Sequence, residues 1–372
     1  MILLIFVLVF LPFFIIQLFS VATILTVPRK KKNPSKPQIK VSLLLAARNE
    51  EALIARSLDH ILALDYPSNL LEIIVGNDQS SDRTKEIVQE YQKTHPQIQL
   101  HDVTSNVGKG RGKANVLAHL AHKATGEFFF ITDVDVALPS AWIKEILAEF
   151  SEDVGIVSGT STCERSYTLF SRMQSIDWLH FMGYMQSFAN VGVGCTSVGN
   201  NMAVRSKAYW QTGGFENIPF SITEDYKLFE AVTNNGWQWR SVLTPASLGL
   251  AWPIGSVKEM LHQRKRWLIG AGDLPHLWKF LIVLYGLFIP GLIALFFVNP
   301  VLASQLWFAK FVIQTIYIHV LAQKVGLRSF SFLNLCFYEL YVVLNTLATA
   351  VFYGLPIASV WKGRTYSKDN LA

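Results

Sequence analysis

From Met1 to Val27 the chain carries no charged residue, and the stretch after it holds Arg29, Lys30, Lys31, Lys32, Lys36 and Lys40 with no acid among them. Such a run exceeds the ~20 residues needed to cross the hydrocarbon of a bilayer. No Lys or Arg precedes it, as the basic region of a cleavable signal peptide would require, so it is expected to be a retained anchor. The Lys run then holds the downstream chain in the cytoplasm, with the amino terminus outside. That rule accounts for the basic cluster without invoking nucleic acid.

The rest of the composition agrees with a membrane protein. Charged residues make up 16% of the 372 positions, against about 25% in an ordinary soluble domain, and hydrophobic residues 51%. A chain this apolar is not disordered, and its Gly residues show no triplet period. Cys163, Cys195 and Cys336 lie far apart with no CxxC pair, which supports neither a disulfide framework nor a structural zinc site. A reducing compartment is expected.

Three regions are expected: an anchor over 1–27, a globular α/β domain over 38–277, and an apolar region over 278–361. Between Leu274 and Tyr338 there is no Asp or Glu, and three apolar segments can be drawn, Phe280 to Val298, Val301 to Leu321 and Phe332 to Trp361. Lys324 and Arg328 belong inside. Four crossings would leave Lys362, Arg364 and Lys368 outside, against the same rule. The third segment, interrupted by Gly354 and Pro356, is therefore expected to bend back or lie in the interface.

In the globular region the runs Val41–Leu45, Leu71–Val75, Phe128–Thr132 and Val154–Ser158 read as strands, and Asn49–Ala63 and Asp82–His95 as helices. Near-continuous apolar strands alternating with helices predict a mostly parallel sheet covered on both faces. Ligands of such sheets bind beyond the carboxyl ends of the strands. Those ends carry Arg48-Asn49-Glu50, Asn77-Asp78 and Asp133-Val134-Asp135. Two carboxylates at i and i+2 leaving a buried strand repel each other unless a cation joins them, so a divalent metal, Mg or Mn bridging substrate phosphates, is expected. Capping of the next helix by these acids is the alternative. Gly108 to Lys113 fails the P-loop spacing but carries three cations into a helix start, a setting suited to a diphosphate or to plain solvent exposure.

Farther on come Gly199-Asn200-Asn201, Thr223-Glu224-Asp225 and Gln263-Arg264-Lys265-Arg266-Trp267. Singly, Thr-Glu-Asp reads as a helix start and Gln-x-x-Arg-Trp as a juxtamembrane helix. In their order, the set resembles the family-2 glycosyltransferases of GT-A fold, within the membrane-embedded branch that includes ceramide glucosyltransferases and the cellulose, chitin and hyaluronan synthases. The resemblance covers about Val41 to Trp267. It implies a nucleotide-sugar-binding α/β domain flanked by transmembrane helices, in which Glu50, Asp78, Lys113 and Asp133 lie at the nucleotide sugar and Asp135 holds the metal. By the same resemblance Asp225 is the general base, and Glu224, Gln263, Arg266 and Trp267 serve the diphosphate and the acceptor. Where many members have Tyr-Asn-Glu and paired acids, this chain has Arg48-Asn49-Glu50 and Asn77-Asp78.

The expected activity is inverting transfer from a nucleotide-diphosphate sugar to a membrane-associated acceptor, a lipid or a glycan, at the cytoplasmic face of the cell (inner) membrane. With only about three apolar segments after the domain, a lipid is favoured over a processively extended polysaccharide. A non-catalytic membrane scaffold and a transporter are the readings from other classes, and no nucleic-acid partner is expected.

Overall fold

The structure is a computed structural model that describes residues 6–28, 39–165 and 168–366. The basic cluster from Arg29 to Lys36, and Lys368, lie outside the described residues.

A π-helical turn, Phe6–Phe10, leads into α1 (Leu11–Thr26). The domain then runs β1 (Val41–Ala47), α2 (Ile54–Leu62), β2 (Leu71–Asn77), α3 (Thr84–Thr94), β3 (Ile98–Asp102), α4 (Gly112–Lys123), β4 (Phe128–Asp133), β5 (Val136–Ala137), α5 (Trp142–Leu147), β6 (Val154–Ser158) and β7 (Thr160–Cys163). It continues through α6 (Leu169–Ala189), β8 (Asn201–Arg205), α7 (Ser206–Gln211), α8 (Glu224–Asn234), β9 (Gln238–Ser241), β10 (Leu248–Ala251) and α9 (Val257–Gly270). Three long helices follow, α10 (His276–Val298), α11 (Pro300–Lys324) and α12 (Phe332–Gly354), then a hairpin of β11 (Ser359–Trp361) and β12 (Arg364–Tyr366).

All four runs read as strands are strands. The main sheet has the order β3-β2-β1-β4-β8-β6-β9. The half from β3 to β4 is parallel, with Leu43 beside Ile73 on one side and Phe130 on the other. Such a strand is buried on both faces, which is why its sequence is an unbroken apolar run. One core packs α2 and Trp142 of α5 against Leu43, Ile73 and Phe130; the other packs α4 and α8 against Leu44, Ile74 and Ile131. The exception to parallel order is β8, which is antiparallel to both β4 and β6. A second sheet, β5-β10-β7, sits at the open end. Asn201 joins the two: its amide donates to the Thr160 and Ser247 carbonyls and accepts from the Trp142 indole.

The helix read over Asn49–Ala63 starts only at Ile54, because Asn49 takes a left-handed φ of 51° and uses its side chain to accept from the Ser81 amide. Gln79 is left-handed too, with a φ of 53°, and its side-chain amide donates to the Val103 carbonyl. Left-handed backbone is uncommon for residues other than Gly, and two instances facing each other mark the loops after β1 and β2 as specialised.

Four helices, Leu8–Thr26, α10, α11 and α12, are long and apolar enough to cross a membrane. The seam between them and the domain is α6, whose Ser187 bonds both the Ser20 carbonyl of α1 and the Tyr317 hydroxyl of α11. The third apolar segment does not run helically to Trp361. Its helix ends at Gly354, and Leu355-Pro356 turn the chain back. At its other end Phe330 lies under the Arg165 guanidinium, at 3.8 Å, while Phe352 packs on His262 of α9. Lys265 of α9 donates to the Phe352 and Leu355 carbonyls. Both ends of α12 therefore touch the domain.

Candidate active site

The acids expected at the strand ends do gather there. Asp78 follows β2, Asp133 ends β4, and Asp135 lies in the two-residue turn between β4 and β5, where its carbonyl accepts from the Trp252 amide of the segment after β10. All of them, with Glu50, line one cavity of about 1480 Å³. Burial, then the charges of Asp133 and Glu50, push the Asp135 carboxyl up to about 7.

Carboxylates crowded this closely favour a bound cation, and oxygen-only donors suit Mg²⁺ or Mn²⁺. Among the described residues no three His, Cys, Asp or Glu side chains converge on a closed metal cage. The residues present would suit an ion held by one or two carboxylates, Asp135 and Asp133, with its remaining positions open to substrate phosphates.

Lys113 lies beneath the acids. Its ammonium is 2.5 Å from Asp133 and 3.2 Å from Glu224, and it donates to the Gly199 carbonyl at 3.0 Å. Burial opposes the charge, but Asp133, Glu224 and Asp225 outweigh it and hold the Lys113 pKa above its ordinary value. Lys113 thus bonds the Asp-x-Asp group to the Thr-Glu-Asp group.

Asp225 sits in the first turn of α8. Its two carboxylate oxygens accept from the Gly199 amide (2.9 Å) and the Tyr226 amide (2.8 Å). A Cβ at Gly199 would come within 3.0 Å of that carboxylate, so a larger residue there would push Asp225 out of place by a few tenths of an ångström. Burial, and then the neighbouring Glu224, push the Asp225 carboxyl up to about 6. A carboxyl poised there exchanges protons near neutrality, as a general base must.

The Gln-x-x-Arg-Trp residues lie on α9, which meets Thr223 at its carboxyl end: a Cβ on Gly270 would lie 2.4 Å from the Thr223 methyl. Gln263, Arg266 and Trp267 line the cavity. Trp267 packs edge-on against Trp178 of α6, and the Arg266 guanidinium stacks on the Trp361 ring at 4.7 Å. The two intervening cations have other partners. Arg264 pairs with Asp177 of α6, and Lys265 holds the end of α12.

Every site residue expected from the sequence lines this cavity, Glu50, Asp78, Lys113, Asp133, Asp135, Glu224, Asp225, Gln263, Arg266 and Trp267 alike. Arg48, one of the strand-end residues, donates to the Asp78 carbonyl at 2.7 Å; sequence reasoning missed the Asp177–Arg264 pair and Trp361, Lys362 and Arg364 of the terminal hairpin. The hairpin's one signal was its charge on the apparently wrong side of the membrane.

The cavity continues past Trp267 between α6 and the long helices, along Phe181 and Met185, Leu281 and Ile282 of α10, and Val342 and Ala350 of α12. Its strand-end part is lined by the acids, and the part beyond is mostly apolar, with Asp177, His180, Tyr285 and Asn345 among its lining.

The model of glycosyl transferase family 21 matches residues 3–368, nearly the whole chain. The chain belongs to glycosyl transferase family 21. It is 28% identical over 244 residues to a poly-beta-1,6-N-acetyl-D-glucosamine synthase of Staphylococcus epidermidis, covering 63% of this chain and 55% of that one. It is 25% identical over 239 residues to a beta-monoglucosyldiacylglycerol synthase of Synechocystis, covering 63% of this chain and 48% of that one. The chain thus spans about half the length of the curated relatives it matches. Among solved structures it resembles the mannosyltransferase PcManGT of Pyrobaculum calidifontis, determined with GDP-Man and Mn²⁺, at a TM-score of 0.55 and 18% identity, covering 91% of this chain and 98% of that one. That likeness is one of fold, and the fold is of the expected GT-A type.

Proposed function

We propose that this family-21 glycosyltransferase is a metal-dependent, inverting enzyme that moves one sugar from a nucleotide-diphosphate donor to a lipid acceptor at the cytoplasmic face of the membrane. The observation that carries the reading is the single cavity joining the acids beyond the strand ends to the apolar space between α6, α10 and α12. A lipid's hydroxyl can reach Asp225 there while its tail stays among hydrocarbon-like side chains. A growing polysaccharide needs a continuous polar exit path instead; Asp177, His180 and Asn345 share this part of the lining, but apolar walls such as Phe181, Leu281 and Val342 predominate.

In this mechanism Asp78 and Glu50, on the loops after β2 and β1 respectively, lie on the nucleoside side of the donor. A divalent ion at Asp135 and Asp133 would neutralise the diphosphate as it leaves. Arg266 adds positive charge at the same place. Asp225, ionised and held by two amides, removes the proton of the acceptor hydroxyl as it attacks from the face opposite the diphosphate. With one base and no second carboxylate acting as nucleophile, an α-linked donor gives a β-glycoside. Trp267 walls the acceptor end.

The contacts of the helices support a membrane arrangement consistent with the charges: α1, α10 and α11 cross, and α12, touching the domain at both ends, lies along the interface. The loop from Val325 to Ser331 and the terminal hairpin then share the side of the catalytic domain, and Lys324, Arg328, Lys362 and Arg364 all fall inside. Residues 1–27 and 278–361 serve the membrane and 38–277 the chemistry. The test is release of nucleoside diphosphate from a panel of sugar nucleotides, with the product's anomeric configuration read by NMR. Retention of configuration, or a silent chain with every donor, would contradict the reading.

A further inference from the structure

Residues of α9 leave the helix in three directions. Gln263 and Arg266 line the cavity and Gly270 meets Thr223. His262 and Lys265 meet the end of α12. Arg264 and Trp267, on one face at i and i+3, meet α6.

On that last face four side chains close a ring. The Arg264 guanidinium pairs with Asp177 and lies over the Trp267 indole, 4.7 Å from its centre. Trp267 meets Trp178, the residue after Asp177, edge to face with ring centroids 5.2 Å apart. The Tyr338 hydroxyl of α12 donates to the other Asp177 oxygen at 3.2 Å and lies 3.3 Å from Nδ1 of His180, the next turn of α6.

Both oxygens of Asp177 are thus engaged by protein donors. That suits a carboxylate that orients its neighbours better than one that takes a proton or a metal ion. A guanidinium on its long stem swings freely until a carboxylate fixes it, and a fixed cation over one face of an indole holds the plane of the ring. With Trp178 against its edge, Trp267 is held in one orientation where the cavity passes from the acids to the space along α6, α10 and α12.

We infer that Asp177 is a positioning residue for transfer to the acceptor: acting through Arg264, it sets the plane of Trp267, and Tyr338 ties that setting to α12. This rests on the acceptor role proposed above for Trp267. A misplacement of ~1 Å at a group facing the substrate can cost on the order of 10² in rate.

The test uses the full chain in lipid nanodiscs, labelled with fluorotryptophan and read by fluorine NMR, the Trp267 resonance being the one lost in Trp267→Phe and the Trp142 resonance the one lost in Trp142→Phe. Asp177→Asn and Arg264→Met should each shift or broaden the Trp267 resonance and leave that of Trp142, buried in the domain core, in place. Tyr338→Phe, a milder change, should move the Trp267 resonance less and in the same direction. In membranes, Asp177→Asn and Arg264→Met should each transfer sugar into organic-soluble lipid roughly tenfold or more slowly, with the KM for the sugar nucleotide within about twofold of wild type. The double variant should be no slower than the worse single one, since both act through one ring. An unmoved Trp267 resonance in Asp177→Asn would overturn the inference. So would a sugar-nucleotide KM that rises in step with the loss of transfer, or a Trp142 resonance displaced along with that of Trp267, since either would mean that Asp177 only holds the helices together. A wild-type chain that moves no sugar to lipid, with Trp267 still displaced in the variants, would instead refute the proposed function, and any role of Asp177 in transfer with it.

Discussion

Lys113 lies 3.2 Å from Glu224, on an element more than a hundred residues away, and bonds Asp133 with the same ammonium. One buried cation therefore sets the distance between the Asp-x-Asp acids and the proposed base. Removing one partner of a buried ion pair costs about 3–5 kcal/mol, because the charge left behind has neither water nor a counterion. Lys113→Met should lower the thermal unfolding midpoint by several degrees and abolish transfer together, while Lys109→Met, on the exposed loop before it, should leave the midpoint in place. Thermal scans of the two variants in the same nanodiscs check this.

Asp135→Ala should eliminate turnover in a chain that still folds, since it removes a metal donor from a loop end and not from either core. Excess EDTA should do the same to the wild type, and added Mn²⁺ should restore it. Circular dichroism with a transfer assay separates loss of function from loss of fold.

Asp225→Asn keeps shape and hydrogen bonding but cannot accept a proton. Turnover should fall by on the order of 10² or more while donor affinity stays within a few-fold. In the wild type, a base raised to about 6 is protonated below that pH, so kcat should fall about tenfold per unit as the pH drops below 6 and level off above it. The Asn variant should lose that limb of the profile.

The helix arrangement makes a labelling prediction. In a background lacking the three native cysteines, Ser256→Cys and Ser329→Cys should resist a membrane-impermeant thiol reagent in intact cells and react after lysis. Val301→Cys, at the far end of α10 and α11, should react in both. Val360→Cys, beyond α12, should behave like Ser256→Cys, and its labelling from outside would restore a fourth crossing, since Ser329 lies inside with three crossings or four.

Much of the fold was legible because buried parallel strands announce themselves: Leu43 to Leu45 and Phe128 to Ile131 have neighbours on both faces and cannot be polar. The acids at their ends were legible for the same topological reason. Three features were not. The antiparallel β8 is short, and its Asn201 reads as a loop residue although it is the buried joint between sheets. Arg264 and Lys265 look interchangeable with Arg266 in a basic run, and only the direction in which each leaves α9 sends one to Asp177, one to α12 and one to the cavity. The hairpin was hidden because its partners, Glu50 and Asp78, lie at the opposite end of the chain, and because an apolar count runs past the turn at Leu355-Pro356 without seeing it.

The most direct measurement of the central claim is to incubate membranes containing the protein with radiolabelled UDP- and GDP-sugars and Mn²⁺, then separate organic-soluble lipid from high-mass polymer. Transfer of label from one donor into a small organic-soluble product, lost in Asp135→Ala and Asp225→Asn, is the predicted result. Label accumulating in a large polymer would contradict the lipid acceptor, and no transfer from any donor would contradict the enzyme.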